Sequence, residues 1–410
     1  MLSEWLLLRR FLWGRPLQSS LAILVMALSV AISVTMLLLS SGIHSSLVQA
    51  ATPFPMLMGA KGSPNQLVLN SVFLKDQPIG NFSYSKLTEL RQNKNVAQAV
   101  PLGYGDNYRG FRIVGTEPEI FTFRGINNTA GSWLNLATGK TFSAPYEAVL
   151  GADVAAKTGL KLGDSFASVH GVVQTANSKS HKEQYKVVGI LKPVQGPYDS
   201  AILVSLDSIW HAHEHNDDIT EPKESTLQHK EQGKEITAVL IRPAGYAQSM
   251  QLAASYAKDR DVQLIFPSKT IIQLFTILGN LEGLLQAFSI AALILALIII
   301  GSSLYWYILG SLRQQGILRA LGASSSWVSR FYFQLGLMLV AGGLGSGLIL
   351  GHGLYAALGI LVQAQTGLNL QAKLLPAEAA LAIGVLVCGA AFSWLAVRLA
   401  MRNKDIVEIL

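Results

Sequence analysis

Four stretches of this chain are apolar for long enough to cross a bilayer, which takes about 20 mostly apolar residues. Leu17 to Gly42 carries no charge; the other three are Gly283 to Leu309, Phe331 to Val362 and Ala377 to Val397. Leu17–Gly42 exceeds the apolar core of a signal peptide and no clean cleavage site follows it, so it reads as a span. Between the first and second spans, residues 43–280 show short apolar runs broken by Gly, Pro, Asn and Asp, the pattern of a mixed soluble domain. The predicted fold is a membrane protein with four transmembrane helices, one plus three. A large mixed α+β domain is inserted between spans one and two.

Within 43–280, Gln66–Leu69 reads as a strand, Tyr84–Gln92 as a helix and Phe111–Val114 as a strand. Ile236–Ile241 reads as a strand, a helix follows near Ala247–Lys258, and Val262–Phe266 is again a strand. Two similar pieces, 61–119 and 236–267, thus flank a central section, 120–205, that holds the strand Tyr185–Leu191. The expectation is one flanking subdomain interrupted by a central one, with 206–235 as a His-rich loop. Residues 43–60 and 268–282 are expected to link the domain to the spans. Ahead of the first span, residues 1–16 predict a short amphipathic helix, with Trp5 and Trp13 suited to the interface and Arg9 and Arg10 to headgroups. Gly14-Arg15-Pro16 breaks it from the first span.

Charge gives the direction. The chain has 410 residues, half of them apolar and 14% charged, well below the roughly 25% of soluble domains. Residues 43–280 hold 22 of the 32 Lys+Arg and 20 of the 25 Asp+Glu, an ordinary soluble balance. Of the ten remaining cations, Arg9, Arg10, Arg15, Arg313, Arg319, Arg330, Arg398, Arg402 and Lys404 fall on one side of the spans, and only Lys373 on the other. That side is expected to be the cytoplasm, with both termini and the tail 398–410 inside and 43–280 outside. The net charge of +7 is therefore mainly a membrane-flank effect. No basic patch with interleaved aromatics appears, so nucleic acid is not an expected partner.

Catalytic motifs are missing. Gly139-Lys140-Thr141 lacks the upstream glycine of a phosphate-binding loop, because Leu134 stands there. There is no Gly-x-Ser-x-Gly and no His-Glu-x-x-His. The single cysteine, Cys388, lies in an apolar run. No enzymatic activity is expected of this chain.

Three features carry the functional reading. Gly343, Gly347 and Gly351 recur every four residues in span three, a spacing that lets another helix come close, in this chain or in a second copy. Near the ends of spans three and four, His352 reads as a solvated or hydrogen-bonded group and Glu378 as a helix-start signal after Pro376. The stretch from His211 to His229 holds four of the eight histidines, His211, His213, His215 and His229, among Glu214, Asp217, Asp218, Glu221 and Glu224. It reads as a mobile polar loop. Imidazole suits zinc, copper or nickel, with carboxylates completing the shell. Zinc, held loosely, is the expected ion, sensed there or exchanged with a soluble extracytoplasmic protein; the alternative is a solvated insertion.

Between spans two and three, residues 311–323 predict a short cytoplasmic helix. Leu312, Ile317, Leu318 and Leu321 are its apolar positions, Gly322 its stop, and Ser324–Ser326 the cap of span three. The run Arg313 to Ala323 resembles the cytoplasmic loop of the MacB/FtsX-like permeases of ABC transporters. Val149-Leu150-Gly151, the Gly159–Asp164 turn and Val187-Val188-Gly189-Ile190 are similar to that family's outer-domain motifs. The layout of one span, a large outer domain and three spans matches as well.

The resemblance implies a permease in the bacterial cytoplasmic membrane, present in two copies and bound to two copies of a separate ABC ATPase. ATP would act only through that partner, and its motion would be transmitted to the outer domain. It also implies a coupling helix carried by Arg313, Gln315, Gly316, Leu318, Arg319, Leu321 and Gly322. A signalling protein that transports nothing and a metal-binding sensor are the competing readings. A neighbouring gene for an ATPase, a kinase or hydrolase, or a metal-binding protein discriminates among the three.

Overall fold

The computed structural model describes residues 4–14, 16–125, 132–171, 180–214, 234–366, 370 and 375–402. The chain divides into two compact units, Met1–Ile43 with Leu278–Leu361 and Leu370–Leu410, and His44–Ile277 with Val362–Asn369.

In the first unit, helix α1 (Glu4–Gly14) precedes α2 (Pro16–Ala51), which contains the first span. Among the described residues, three more helices are long and apolar enough to cross a membrane, and each extends beyond the apolar run that predicts it. We label them α8 (Pro267–Leu309), α10 (Ser325–Thr366) and α11 (Pro376–Met401). The segments expected to link the domain to the spans are largely helical: α2 continues to Ala51 and α8 begins at Pro267. Leu8 of α1 packs with Leu304, Ile308, Tyr332, Leu335 and Val397, which ties the amphipathic helix to the spans.

The glycines of span three meet the first span of the same chain. A Cβ built on Gly343 would lie 2.5 Å from the Met26 Cβ, on Gly347 2.6 Å from the Val30 Cβ, and on Gly351 3.0 Å from the Val34 Cβ. Met26, Val30 and Val34 are fully buried at four-residue spacing along α2. Backbone approach is thus what the glycine stripe provides, and Thr35 Oγ1 donates to the Gly351 carbonyl at 3.1 Å beside it.

Glu378 does two things. Its Oε1 accepts from the Leu375 N–H at 2.8 Å, the expected start signal of α11, and its Oε2 lies 3.2 Å from His352 Nε2. His352 is therefore paired across helices rather than merely solvated.

The second unit is built on one ten-stranded sheet. Its elements, in chain order, are β1 (Met56–Ala60), α3 (Pro64–Ser71), β2 (Phe82–Ser83), α4 (Ser85–Gln92), β3 (Val96–Tyr108) and β4 (Phe111–Thr116). There follow β5 (Leu136–Gly139), β6 (Glu147–Leu150), α5 (Ala152–Thr158), β7 (Ser165–His170), β8 (Ser180–Leu191) and β9 (Ala201–Ser205). The unit continues with α6 (Leu206–Glu214), β10 (Glu235–Ile236), β11 (Ala238–Pro243), α7 (Tyr246–Tyr256) and β12 (Val262–Ile265). The strand order is β12-β1-β11-β3-β4-β9-β6-β8-β5, with β7 pairing β3 and β8, while β2 and β10 form a separate ribbon.

The flanking and central sections are thus two halves of one sheet, joined by the parallel pair β4·β9, in which Ile113 faces Ile202. Both faces are covered. Leu57, Val100, Leu102, Val114, Val149 and Leu203 belong to one core, and Met56, Met58, Val239 and Ile241 to another with Leu87, Leu90 and Leu252 of the helices. Ile113, Ala148, Leu150, Ile202 and Val204 form a third with Val154 of α5.

Residues 66–69 are helical instead of extended. Pro64 sits at the first helical position, and Ser63 Oγ accepts from the Gln66 N–H. These start signals outweigh the short apolar run Leu67-Val68-Leu69.

Candidate coupling site

The loop between spans two and three folds as α9 (Leu312–Ala320). Its stop is a Schellman-type turn: Gly322 adopts φ +98°, the Gly322 N–H donates to the Arg319 carbonyl and the Ala323 N–H to the Leu318 carbonyl, both at 3.0 Å. Ser324 Oγ then accepts from the Trp327 N–H and starts α10.

One side of α9 is fastened to the spans. Gln315 is buried; its Nε2 donates to the Ile308 carbonyl at 2.7 Å and to Ser311 Oγ at 3.3 Å. Ser311 Oγ lies 2.7 Å from Tyr332 Oη, which links the same group to α10. Arg319 donates to Ser325 Oγ at 2.7 Å. Gln315 therefore anchors the helix from behind and presents no surface, while Gly316, Leu318 and Arg319 are half-buried beside it.

The opposite side is open. Arg313, Ile317 and Leu321 repeat every four residues along one face, and Ile317 is 57% and Leu321 80% exposed. Gln314, Ala320 and Gly322 flank them, also exposed. The sequence marks Arg313 and Leu321, but Ile317, at the centre of this face, stands out only once the buried Gln315 shows which side of the helix is free.

The His-rich tract is divided. His211, His213 and Glu214 lie in α6, a helix where a loop was expected, while His215, Asp217 and His229 fall outside the described residues. The two ends of the tract are held together: Trp210 Nε1 donates to the Glu235 carbonyl at 2.8 Å, and Lys234 Nζ donates to Asp207 Oδ1 at 3.2 Å. Among the described residues no three His, Cys, Asp or Glu side chains come together to hold a metal.

The outer-domain motifs mark close backbone approaches. Gly151, which precedes α5, has the carbonyl oxygens of Asp199 and Tyr198 at 2.3 and 2.6 Å from where a Cβ would sit. Gly189 of β8 has the Lys140 carbonyl oxygen at 2.4 Å. In the Gly159–Asp164 turn, Gly159 and Gly163 take φ +75° and +91°, and Asp164 Oδ2 accepts from the Lys161 N–H at 2.8 Å.

Four helices long and apolar enough to cross a membrane, a mixed α/β domain between the first and second, and a short helix with an exposed face between the second and third are the parts that the described residues set out. A family model for the MacB-like periplasmic core domain matches residues 19–255, and one for the FtsX-like permease C-terminal region matches residues 287–406. The chain belongs to the MacB/FtsX-like family of ABC-transporter permeases, which work with an ATPase partner.

Among solved structures, the periplasmic region of MacB from Actinobacillus actinomycetemcomitans is 12% identical, with a TM-score of 0.32 over 55% of this chain and 94% of that one. The extracellular domain of the noncanonic ABC-type transporter YknZ from Gram-positive bacteria is also 12% identical, with a TM-score of 0.28 over 51% of this chain and 98% of that one. No curated protein matches the chain.

Proposed function

We propose that this chain is the permease subunit that receives the motion of a separate ABC ATPase through α9 and transmits it to the outer domain. The observation that carries the reading is the exposed Arg313–Ile317–Leu321 face, backed by the buried Gln315 anchor. Two bare apolar side chains beside a cation suit a groove on a soluble partner, and central apolar anchors dominate such interfaces. ATP hydrolysis belongs to that partner. Two permease copies and two ATPase copies complete the proposed assembly.

The test is affinity purification of the tagged full chain from gently solubilised membranes. An ATPase carrying a phosphate-binding loop is expected in the eluate, recognised by mass spectrometry and by ATP hydrolysis. Ile317→Asp with Leu321→Asp is expected to weaken the complex about 100-fold, two anchors at about 1.4 kcal/mol each. Both side chains are exposed, so the variant keeps its membrane fold. Undiminished ATPase recovery with the double variant overturns the coupling assignment.

The direction of the spans is part of the reading. With Cys388 changed to Ala, Lys161→Cys is expected to react with a membrane-impermeant maleimide in intact spheroplasts, and Gln314→Cys only after lysis. The reverse pattern places the outer domain in the cytoplasm and removes the proposal.

A further inference from the structure

We propose that the outer domain binds small amphipathic carboxylates, ligands with one flat or branched apolar body and a single negative charge. The site is a cleft of about 390 Å³ walled by the last turn of α2, Trp133 and the segment Lys192–Tyr198. That volume falls within the range of small-molecule pockets. All of its walls belong to the outer domain, and the coupling reading gives it no role.

The apolar end is a rigid aromatic box. Phe54 and Trp133 meet edge to face with centroids 5.3 Å apart, as do Trp133 and Tyr198 at 4.8 Å, while Phe54 and Tyr198 are tilted against each other at 5.6 Å. Such edge contacts lock ring planes. Phe54 and Tyr198 are almost fully buried, and Tyr198 Oη donates to the Ser71 carbonyl at 3.0 Å. The ring of Trp133 is therefore the face offered to a ligand. Its Nε1 is buried and donates to none of the described groups.

The charged end is Lys192. Among the described residues lining the cleft it is the one with a charged side chain, and no acid stands beside it there. Its backbone N–H donates to the Asn135 carbonyl at 2.8 Å, which fixes its place at the rim. Its ammonium forms no ion pair with a described residue. One ammonium balances one negative charge, which favours a monocarboxylate over a phosphate dianion.

The loop carrying Lys192 is built to hold its shape. The buried Asp199 carboxylate accepts from the Val194 N–H at 2.8 Å and the Gly196 N–H at 3.2 Å. Pro193 and Pro197 restrict the backbone between them, and Gln195 sits at φ +55°, a left-handed conformation uncommon outside glycine. Strain of this kind persists where surrounding structure enforces it and collects at ligand sites. Preorganisation lowers the entropy lost on binding.

The test uses the full chain in lipid nanodiscs, with phenylacetate as probe and phenylacetamide as its neutral counterpart. Saturation-transfer NMR reads binding, and empty nanodiscs give the lipid background. Phenylacetate is expected to bind saturably, and Lys192→Gln to weaken it about tenfold, the loss of one charge-assisted contact. Trp133→Leu is expected to weaken both probes, whereas Lys161→Gln, an exposed lysine elsewhere in the outer domain, changes neither. Lys192 is exposed, so its variant tests the site even if Trp133→Leu does not fold. Binding no greater than to empty nanodiscs, or equal binding by wild type and Lys192→Gln, overturns the proposal. ATPase recovery is unaffected by either result, so this proposal and the coupling reading fail independently.

Discussion

Gly347→Leu is expected to destabilise the membrane unit by about 3 kcal/mol, the upper range for overpacking a well-filled interface. The reason is what surrounds the missing side chain. A Cβ there would lie 2.6 Å from the Val30 Cβ and 2.8 Å from the Ala27 carbonyl oxygen. A flexible side-chain tip can turn aside, but a helix carbonyl cannot. The first and third spans would have to separate, which also loosens Gly343 against Met26, Gly351 against Val34, and the hydrogen bond from Thr35 to Gly351. Gly345 provides the control. It lies two residues away, is exposed, and a Cβ there meets nothing within 4 Å. Gly345→Leu is expected to change stability by no more than about 0.5 kcal/mol. Thermal unfolding of the purified full chain in detergent compares the two. Equal melting temperatures contradict the packing of α10 on α2.

Gly151→Ala is expected to cost the outer domain about 3 kcal/mol through a different obstruction. Gly151 has φ −63°, so alanine suits its backbone; the penalty is steric alone. The added methyl would sit 2.3 Å from the Asp199 carbonyl oxygen and 2.6 Å from that of Tyr198. The Gly151 N–H also donates to the Ala201 carbonyl at 2.8 Å, so it cannot retreat without losing a sheet-end hydrogen bond. Movement of the Tyr198–Asp199 backbone would disturb the carboxylate that organises the Val194–Gly196 turn. Gly159→Ala isolates the backbone effect. There φ is +75° with nothing within 4 Å, and the expected cost is only about 1 kcal/mol of left-handed strain. Limited proteolysis of the full chain in nanodiscs reads the difference. Gly151→Ala should open the outer domain to cleavage, and Gly159→Ala should leave it resistant. If the two variants are cut alike, the close approach at Gly151 is not what holds this segment.

Much of the architecture was legible because the membrane imposes a rule that needs no partner. A helix in hydrocarbon must be apolar along about 20 residues whatever it packs against. Hence Leu17–Gly42, Gly283–Leu309, Phe331–Val362 and Ala377–Val397 each lie inside an observed helix. The short helix α9 was legible for a related reason: Gly322 and Ser324 are local stop and start signals, acting through hydrogen bonds within a few residues.

The outer domain was harder to read because its sheet is buried on both faces. Met56, Leu57 and Met58 enter different cores, so no apolar–polar alternation marks β1, and the segment reads as part of a linker. Leu67-Val68-Leu69 has the same local character but belongs to a helix set by Ser63 and Pro64. Short apolar runs of this kind are ambiguous in period, and the surrounding layers resolve them.

The number of spans, their place along the chain, and the local turns at Gly159, Gly163 and Gly322 follow from the order of residues alone. Packing in three dimensions sets the rest: Gly343, Gly347 and Gly351 meet α2 of the same chain, Gln315 faces inward and Ile317 outward, and the two sections of the outer domain share one sheet. The physical reason is the range of the forces involved. Transfer into hydrocarbon and capping hydrogen bonds act on a residue and its immediate neighbours. Which face of an element is buried depends on a surface brought to it from hundreds of residues away.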